Sequence, residues 1–596
     1  MRCGVDTGGT FTDVVTDDGR VVKVLSTPAD PARAVATGLA SAGHRPTLLA
    51  HGTTVATNAL LERRGAVVAL VTNEGFADVI EIARQDRPSL YDQWADRPEP
   101  LVPRHLRLEV GGRLDATGAE LEPVPADARD LPDVPDGVEA VAVCLLHADL
   151  NPDHERAVAA GLRHRGLDVT ISSDVSPEFR EYERTVTTVL NAYLRPRCRD
   201  YLRLLDDLAD EVLVMTSAGG LVPAAEAAEL PVALLLSGPA GGVVAGAAAA
   251  GAAGYADAVT FDMGGTSTDV CLVRGCVPEP AAGRVAAGFP VRLPALDIHT
   301  IGAGGGSIAR IDAGGALVVG PESAGADPGP ACYGRGGRRP TVTDADLVLG
   351  RIPTDAAFGD LGRLDIEAAR DALGAAGVTA EGVVAVVDAA MERAVRAVTV
   401  ERGVDPSELA LVAFGGAGPV HACAIADALG MAAVVVPPRA GVLSAVGLLC
   451  SPRQRDLVRS WPTPADHAGV APAATALGDE ARRAVGGQAE VEVTTALDCR
   501  YAGQSHELTV AGIDDFPDEH RRRNGYARPD APVEVVALRA RARRPAPLAI
   551  ADLPPPAVAR RPTVGPAVVV EPDCTVWIPD GWRADVAADG SWLLTR

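Results

Sequence analysis

One polar, glycine-rich phrase occurs twice in this sequence, and its residue types suit the binding of phosphate and a divalent cation. GVDTGGTFTDVV lies near the N-terminus, and TFDMGGTSTDVCLV lies in the middle of the chain. Aligned from Asp6 and from Asp262, the two copies share the pattern D-x-G-G-T-x-T-D-V. Chance is a poor explanation for a shared pattern of this length. The repetition therefore indicates a duplicated unit with a duplicated role.

Each copy is typical of a β-hairpin with an aspartate at its mouth. Asp6 and Asp262 end apolar strands, and each precedes glycines that can take positive φ and expose backbone N–H groups as an anion-binding nest. Two such hairpins facing each other would hold a polyphosphate. Asp6 and Asp262 would then bind Mg²⁺, through water because Mg²⁺ keeps much of its hydration shell. Two ordinary hairpin turns, the alternative, leave the repetition unexplained. The predicted cofactor-binding residues are Asp6, Thr7, Gly8, Gly9, Thr10, Thr12, Asp262, Gly264, Gly265, Thr266 and Thr268.

A third glycine-rich element, LALVAFGGAGPVHACAIADALG, reads as a strand, a loop and a helix. Gly415, Gly416 and Gly418 would let a ligand approach the backbone, and the helix N-terminus favours negative charge. A Rossmann dinucleotide loop is excluded, because His421 stands where its third glycine should be and the next strand ends in prolines. The element predicts a nucleotide contact of another kind.

Two polar clusters are candidates for substrate chemistry. Asp297 and His299 alternate in ALDIHTIG, so on a strand both would face one way and could act as a catalytic base or metal pair. A polar pair satisfied within the fold is the alternative. The second cluster follows the strand TLLA and predicts a ligand-facing loop that opens a helix, with helix capping by threonine as the alternative. Its candidate substrate residues are His51, Thr53, Thr54 and Asn58.

Alternating strand-like and helix-like runs must position these residues, and they predict α/β layers in both halves of the chain. EYERTVTTVLNAYLRPRCRDYLRLLDDL predicts one long helix, or two helices kinked at Pro196, joining a first lobe to a second. Strand-like runs separated by turns follow Val491 and predict a β-rich region. We expect a first lobe over 1–185, a second over 186–450, a linker and helix over 451–490, and a β-rich C-terminal domain over 491–596.

Composition excludes several classes of protein. A formal net charge of −24 argues against non-specific binding of nucleic acid or of an anionic membrane. The single lysine, Lys23, lies in DGRVVKVLS, which is no Walker A loop, so a P-loop ATPase is excluded. The ten cysteines include no CxxC pair, and reduced thiols are expected.

The segment from Pro231, PVALLLSGPAGGVVAGAAAAGAAG, is long and uncharged. Glycine and proline interrupt it near its middle, which predicts a buried strand, a turn and a helix of small residues rather than a membrane span. No secretory signal is visible at the N-terminus. A cytoplasmic location is expected.

The three glycine-rich elements together resemble the actin-like ATPase superfamily, whose members carry one phosphate hairpin in each of two lobes and an adenosine loop in the second. This resemblance implies two actin-like (ribonuclease H-like) α/β lobes, each starting with a β-hairpin. Within the superfamily, the sequence motifs are similar to those of the hydantoinase A/oxoprolinase family over nearly the whole chain. The matching motifs are GVDTGGTFTDVV, HGTTVATNAL, SGPAGGV, FDMGGTSTDV, DIHTIGAGGGSIA, GPACYGRGG, PTVTDA, FGGAGP, AGVLSAVGLL, RYAGQSHEL and VWIPDGW. The region after Cys450 looks shorter than is usual in the family.

The family resemblance implies ATP-dependent hydrolysis of a cyclic amide such as 5-oxoproline or N-methylhydantoin. A carbonyl oxygen would attack the terminal phosphate of Mg²⁺·ATP. The resemblance also implies a hetero-oligomer with a hydantoinase B-type partner subunit. An ATP-dependent carboxylase subunit acting on a ketone is the first alternative, and a non-enzymatic actin-like ATPase is the second.

Overall fold

The computed structural model describes residues 1–9, 11–27, 30–43, 45–125, 127–281, 283–356, 362–486, 490–556 and 558–596. Up to residue 252, the strands are β1 (Arg2–Thr7), β2 (Phe11–Thr16), β3 (Val21–Leu25), β4 (Leu48–Thr53), β5 (Val68–Asn73), β6 (Arg107–Val110), β7 (Arg113–Leu114), β8 (Glu120–Glu122), β9 (Ala140–Val143), β10 (Val169–Ile171), β11 (Val212–Met215) and β12 (Leu221–Pro223). The helices of this part are α1 (Pro31–Ala42), α2 (Val55–Leu61), α3 (Val79–Ile82), α4 (Asp153–His164), α5 (Ser172–Val175), α6 (Glu181–Asp206), α7 (Ala224–Glu229) and α8 (Ala240–Ala252).

The middle of the chain contains β13 (Ala258–Met263), β14 (Thr268–Arg274), β15 (Val277–Pro278), β16 (Pro280–Ala281), β17 (Arg284–Ala286), β18 (Phe289–Val291), β19 (Ala295–Leu296), β20 (Ile298–Ile301), β21 (Ser307–Ile311), β22 (Leu317–Ser323), β23 (Ala410–Phe414) and β24 (Ala433–Val436). Its helices are α9 (Val342–Val348), α10 (Ile366–Ala376), α11 (Ala380–Val398), α12 (Gly418–Leu429) and α13 (Leu443–Leu449). The last part contains β25 (Arg453–Ser460), α14 (Val470–Val485), β26 (Glu492–Tyr501), β27 (Leu508–Val510), α15 (Phe516–Asn524), β28 (Val533–Arg544), β29 (Thr563–Val564), β30 (Ala567–Val570), β31 (Thr575–Ile578), β32 (Arg583–Val586) and β33 (Trp592–Thr595).

Two large sheets dominate this mixed α/β structure, and they repeat one strand arrangement. The first sheet runs β27-β26-β28-β25-β12-β11-β4-β1-β2-β3, and the second runs β15-β14-β13-β23-β24-β33-β32-β29. In each, an antiparallel hairpin (β1–β2 or β13–β14) continues into two parallel strands (β4 and β11, or β23 and β24). The structure therefore contains the duplicated hairpin-first unit that the repeated phrase predicts.

The strands after residue 450 extend both large sheets. β25 lies in the segment predicted to be linker and helix, and it pairs with β12 and along its whole length with β28. β33 pairs with β24 of the second sheet. The region is rich in strands, as predicted, but these strands complete the edges of sheets begun much earlier in the chain. The division into four domains remains a prediction.

Helices α8 and α13 cross between the two sheets at glycines. A Cβ placed on Gly447 of α13 would lie 1.9 Å from the Gly241 carbonyl oxygen of α8, and one on Gly4 of β1 would lie 2.1 Å from the Ala445 carbonyl oxygen. Only glycine permits backbones this close. The motifs SGPAGGV and AGVLSAVGLL thus bring α13 against β1, the strand that carries Asp6.

Two helical predictions are tested directly. The stretch around Pro196 forms one helix of 26 residues, α6, with the proline inside it. After Pro231, a short 3-10 helix, Pro231–Leu234, precedes α8 where a buried strand was predicted. In the described part of the chain, no single helix has the length and apolar character needed to cross a membrane. Helices α10 and α11 meet those criteria only as a pair, Ile366–Ala376 and Ala380–Arg402, bent by 81°.

Candidate active site

The two copies of the repeated phrase form matching hairpins. Asp6 is opposite Asp13 across β1 and β2, and Asp262 is opposite Asp269 across β13 and β14. The turns also match, since Gly8 N–H donates to the Phe11 carbonyl over 3.0 Å and Gly264 N–H to the Ser267 carbonyl over 3.0 Å. Each hairpin mouth therefore carries two aspartates rather than one. Thr10 lies outside the described residues, while Gly9, Gly265 and Thr266 are exposed at the two tips.

A glycine on the neighbouring strand or loop makes room for each mouth aspartate. A Cβ placed on Gly52 of β4 would lie 2.9 Å from Asp6 Oδ1. One placed on Gly415, just after β23, would lie 2.5 Å from Asp262 Oδ1. Gly415 also has φ +80°, which side chains rarely adopt. The glycine of HGTT and the first glycine of FGGAGP thus have the same role in the two units.

Neighbouring loop residues hydrogen-bond to the glycine carbonyls of both hairpin turns. Ser26 Oγ donates to the Gly8 carbonyl over 2.7 Å, and the N–H groups of Gly305 and Gly306 donate to the Gly264 and Gly265 carbonyls over 3.0 and 2.7 Å. The sequence GAGGGS therefore supports the second hairpin. These hydrogen bonds to the glycine carbonyls fix the shape of both hairpin tips. The site is therefore organised before a ligand binds.

Two of the threonines predicted to bind the cofactor contact protein instead of facing open space. Thr12 is buried, and its Oγ1 lies 3.1 Å from Ser26 Oγ. Thr268 is buried, and its Oγ1 donates to the Ala303 carbonyl over 2.6 Å. Because Ser26 Oγ donates to the Gly8 carbonyl, the Thr12 hydroxyl donates to Ser26 Oγ. Neither buried hydroxyl is therefore left to donate to a phosphate, which corrects the prediction that Thr12 and Thr268 bind the cofactor. Thr7 is also buried, and its hydroxyl has no hydrogen-bond partner among the residues that the structure describes.

The four aspartates share one electrostatic environment. Burial, followed by the charges of Asp13 and Asp262, raises the pKa of Asp6 well above its ordinary value. Burial and the Asp269 charge raise the pKa of Asp262 to about 7, and burial raises that of Asp269 to about 6. Helix α13 connects the two mouths, because it packs against β1 at Gly4 and its Ser444 Oγ lies 3.4 Å from Asp262 Oδ2. Such a cluster favours a cation that would bring the carboxylates back to their charged form.

Lys23 and Ser444 touch this cluster, and neither was singled out as a site residue from the sequence. Lys23 Nζ lies 2.8 Å from Asp13 Oδ1 and 3.5 Å from the Gly441 carbonyl oxygen. Ser444 Oγ of α13 lies 3.4 Å from Asp262 Oδ2. The repeat itself contained a signal for Asp13 and Asp269, because its last aspartate is shared by both copies. Lys23 had a weaker signal as the single lysine of the chain.

The third glycine-rich element lies directly against the second hairpin. Its predicted strand, loop and helix are confirmed as β23, residues 415–417 and α12. Ala417 N–H donates to the Met263 carbonyl over 3.0 Å, and a Cβ on Gly416 would meet nothing within 4 Å. Gly418 begins α12, where Pro419 has no N–H and Val420 N–H already donates to the Ala417 carbonyl over 3.0 Å, so a contact with an anion would come from Gly418 N–H. His421 is buried, with its ring nitrogens near Asp388 and Asp346, and does not line the loop.

His51 lies inside the protein rather than in a ligand-facing loop, so that prediction is wrong. It is a fully buried residue of β4, with Nδ1 3.0 Å from the Val5 carbonyl oxygen and Nε2 2.7 Å from Tyr201 Oη. Burial lowers the pKa of His51 to about 4, which keeps the ring neutral. Thr53 is also buried. Thr54 and Asn58 remain accessible at the start of α2, where Asn58 Nδ2 donates to Thr54 Oγ1 over 3.3 Å.

Replacing Tyr201 by phenylalanine is expected to destabilise the fold by about 1 to 3 kcal/mol, because the buried Nε2 of His51 loses its partner. The pKa of His51 lies below its ordinary 6.5, so its stabilising effect is present above pH 6.5 and is lost as pH falls towards 4. Urea unfolding at pH 7 and at pH 5 measures both effects. Tyr526→Phe, at a side chain that is 46% exposed, is the control and should change neither.

Asp297 and His299 do not reach the aspartate cluster. Asp297 pairs with Arg402, and His299 is opposite Val270 across β20 and β14. The next residue, Thr300, is opposite Asp269 and donates its hydroxyl hydrogen to that carboxylate. Because side chains alternate along a strand, His299 faces away from Asp269. The structure therefore gives no support to a catalytic pair at these positions.

Sequence models of protein families match most of the chain. The one described as hydantoinase/oxoprolinase matches residues 184–456, and the one described as hydantoinase/oxoprolinase N-terminal region matches residues 2–166. The chain belongs to the hydantoinase/oxoprolinase family. The family resemblance of the motifs is thereby confirmed, and every residue of the two hairpins lies within a matched region.

Members of the hydantoinase/oxoprolinase family with assigned names include amide hydrolases and a carboxylase subunit. The chain is 34% identical to caprolactamase subunit alpha of Pseudomonas jessenii, over 100% of this chain and 99% of that protein. The crystal structure of ATP-dependent caprolactamase from Pseudomonas jessenii matches with a TM-score of 0.84 and 32% identity over 100% of both chains.

Two further relatives match a smaller share of this chain. Identity to 5-oxoprolinase 1 of Arabidopsis thaliana is 35% over 75% of this chain and 41% of that protein. Identity to the acetophenone carboxylase gamma subunit of Aromatoleum aromaticum is 34% over 74% of this chain and 67% of that protein. The family therefore includes both types of reaction that the sequence motifs imply.

Proposed function

We propose that this chain is the ATP-using subunit of an enzyme that opens a cyclic amide. The observation that carries the proposal is the pair of matched hairpins, whose mouth aspartates raise one another's pKa values. A relative that aligns over the whole chain is named an ATP-dependent caprolactamase, which supports both the nucleotide and the class of substrate. The repeated hairpin-first arrangement supports two actin-like lobes that enclose the nucleotide.

The donor set of the cluster fits Mg²⁺. Carboxylate oxygens are hard ligands of the kind Mg²⁺ prefers. Burial first, and neighbouring carboxylates second, raise the pKa values of Asp6 and Asp262, and a bound cation would oppose both effects. Asp6 and Asp262 would hold the ion, one from each hairpin. When bound, Mg²⁺ would neutralise phosphate charge. Backbone N–H groups of the hairpin tips would hold the phosphates, and residues 415–418 would contact the adenosine.

Phosphoryl transfer requires mainly positioning and charge neutralisation, which these residues would supply. The amide carbonyl oxygen of the substrate would attack the terminal phosphorus of ATP and release ADP. Water would add to the activated carbon, and the ring nitrogen would leave with a proton, which breaks the C–N bond and gives an acyl phosphate. A second water would hydrolyse the acyl phosphate to the ring-opened amino acid and phosphate. Thr54 and Asn58 are accessible, and Thr54 Oγ1 lies 3.5 Å from the Thr7 carbonyl oxygen beside the first hairpin. We propose these two residues as substrate contacts. The family relatives named as subunits support a multi-subunit enzyme, in which the partner would be a hydantoinase B-type chain.

Co-expression with a hydantoinase B-type subunit, followed by a substrate screen, tests the proposal. We expect nucleotide hydrolysis to be stimulated at least about 10-fold by a lactam, a hydantoin or 5-oxoproline, with the ring-opened amino acid as product. Ketones with bicarbonate are the matched alternative substrates. Stimulation by a ketone only in the presence of bicarbonate, with a carboxylated product, would replace the amidase assignment by a carboxylase. ATP turnover that no cyclic amide or ketone changes would contradict both.

A further inference from the structure

A short loop displays three large apolar side chains to solvent. In residues 85–99, here called the aromatic loop, Leu90, Tyr91 and Trp94 are 80%, 98% and 82% exposed. Exposed apolar residues that are scattered singly are normal, but three within five positions of one loop are not. Tyrosine and tryptophan are also the residues most enriched at the energetic centres of protein interfaces.

Local hydrogen bonds give the tip of the aromatic loop a defined shape. Ser89 Oγ accepts from Asp92 N–H over 3.0 Å, and Asp92 Oδ1 accepts from Trp94 N–H over 2.9 Å. These are the turn-forming bonds that serine and aspartate favour. The apolar side chains therefore project from an organised turn rather than from an arbitrary extended segment.

Both ends of the aromatic loop are tied to the body of the protein. Arg84, just before it, forms a two-bonded ion pair with Glu183 of α6, with Nε to Oε1 at 2.9 Å. Arg97 NH1 donates to the Ile82 carbonyl over 3.0 Å, and Arg63 NH1 donates to the Glu99 carbonyl over 3.1 Å. A loop ordered in advance loses less conformational entropy when it binds.

The charges of the loop and of the whole chain favour a protein rather than a membrane as the occupant. The aromatic loop contains four acidic residues against two arginines, and the chain has a net charge of −24. The charged residues of the loop are Asp86, Arg87, Asp92, Asp96, Arg97 and Glu99. Both features oppose approach to an anionic lipid surface. A protein face with an apolar pocket for the two rings and hydrogen-bonding groups at its rim would suit the loop.

We propose that the aromatic loop docks onto the second subunit of the enzyme, with Tyr91 and Trp94 as its anchors. This inference rests on the proposed function for the existence of that subunit. Two relatives are named as subunits, and the chain spans 41% of 5-oxoprolinase 1, so the corresponding region there is covalently joined to much more protein. An apolar surface left open in this chain alone is what such an arrangement predicts.

The test compares the triple change Leu90→Ser, Tyr91→Ser, Trp94→Ser with Leu121→Ser, a control at another leucine that is 67% exposed. Binding to the purified hydantoinase B-type subunit is measured by calorimetry without nucleotide or substrate. We expect at least about 100-fold weaker binding for the triple variant, about 30-fold for Trp94→Ala alone, and no change for the control. The changed side chains face solvent, so thermal unfolding of the isolated chain should be unaltered.

Tryptophan fluorescence gives a second readout, because Trp94 is the exposed one among five tryptophans. Its emission should move to shorter wavelength on addition of the subunit, and Trp94→Phe should remove that change. Wild-type affinity in the triple variant would overturn the proposal. So would loss of self-association, or of binding to phosphatidylserine vesicles, in place of loss of subunit binding. A complex that forms through the aromatic loop but hydrolyses no cyclic amide would contradict the proposed function, while the docking proposal would stand.

Discussion

Replacing Asp262 by asparagine is expected to reduce ATP-dependent turnover by roughly 100- to 1000-fold and, at the same time, to stabilise the nucleotide-free chain at pH 7.5. Asparagine keeps the size of the side chain and can still accept the hydrogen bond from Ser444, 3.4 Å away. It lacks the negative charge that a cation would need. The loss of function and the gain in stability have the same origin, which is a carboxylate that no cation neutralises and that the fold partly removes from water.

The direction of the stability change follows from the pKa of Asp262, raised from 3.8 to about 7. The folded chain holds a proton that the unfolded chain releases, so the contribution of this carboxyl is full below pH 3.8 and is lost as pH rises through about 7. A tenfold change in proton affinity is worth about 1.4 kcal/mol. The upper limit is therefore roughly 4 kcal/mol, lowered by water around the half-buried group.

Thermal unfolding at pH 5 and pH 7.5, with and without Mg²⁺·ATP, separates these effects. The wild-type chain should gain stability from Mg²⁺·ATP, and Asp262→Asn should not. Asp371→Asn, on the exposed side of α10, is the matched control and should behave as wild type. Asp6→Asn tests the other hairpin and should lower turnover to a similar extent. Full activity in both hairpin variants would refute the assignment of the site.

The repetition made the centre of the site predictable from sequence. A repeated strand, aspartate and glycine pair specifies a hairpin by local turn geometry alone, so its position in each half could be read before the structure was known. The strand, loop and helix around Gly415 were predictable for the same reason. Each of these features depends on residues that are neighbours in the chain.

Contacts between residues far apart in the chain could not be predicted from local sequence. His51 looked like the start of a ligand loop, but its hydrogen bond to Tyr201 of α6 makes it part of the core. Asp297 looked catalytic, but its partner Arg402 is 105 positions away. The segment holding β25 was predicted to be linker and helix because it is rich in alanine, proline and charged residues. Its pairing with β28, some eighty positions later, supplies the missing stabilisation.

Replacing Lys23 by methionine is expected to remove the positive charge that offsets the first hairpin's carboxylates. Lys23 lowers the pKa of Asp13 both as a charge and as a hydrogen-bond donor, against the raising effect of burial. Breaking one partner of a buried ion pair typically costs about 3 to 5 kcal/mol. Since the Lys23 side chain is 22% exposed, a loss near the lower end, about 3 kcal/mol, is expected, with turnover reduced about 10-fold or more.

A double-mutant cycle identifies the cause of that loss. Lys23→Met with Asp13→Asn should recover most of the stability, because no unpaired carboxylate remains, but it should not recover turnover. Lys23→Arg keeps the charge and should retain most stability. Since Lys23 is the single lysine, reductive methylation with ¹³C-formaldehyde gives one lysine signal in NMR spectra besides that of the N-terminal amine. That signal should shift when Mg²⁺·ATP is added to the wild-type chain and stay fixed in Asp262→Asn. If the lysine signal does not shift with nucleotide and Lys23→Met has wild-type turnover, the Lys23 ammonium group has no role in the active site.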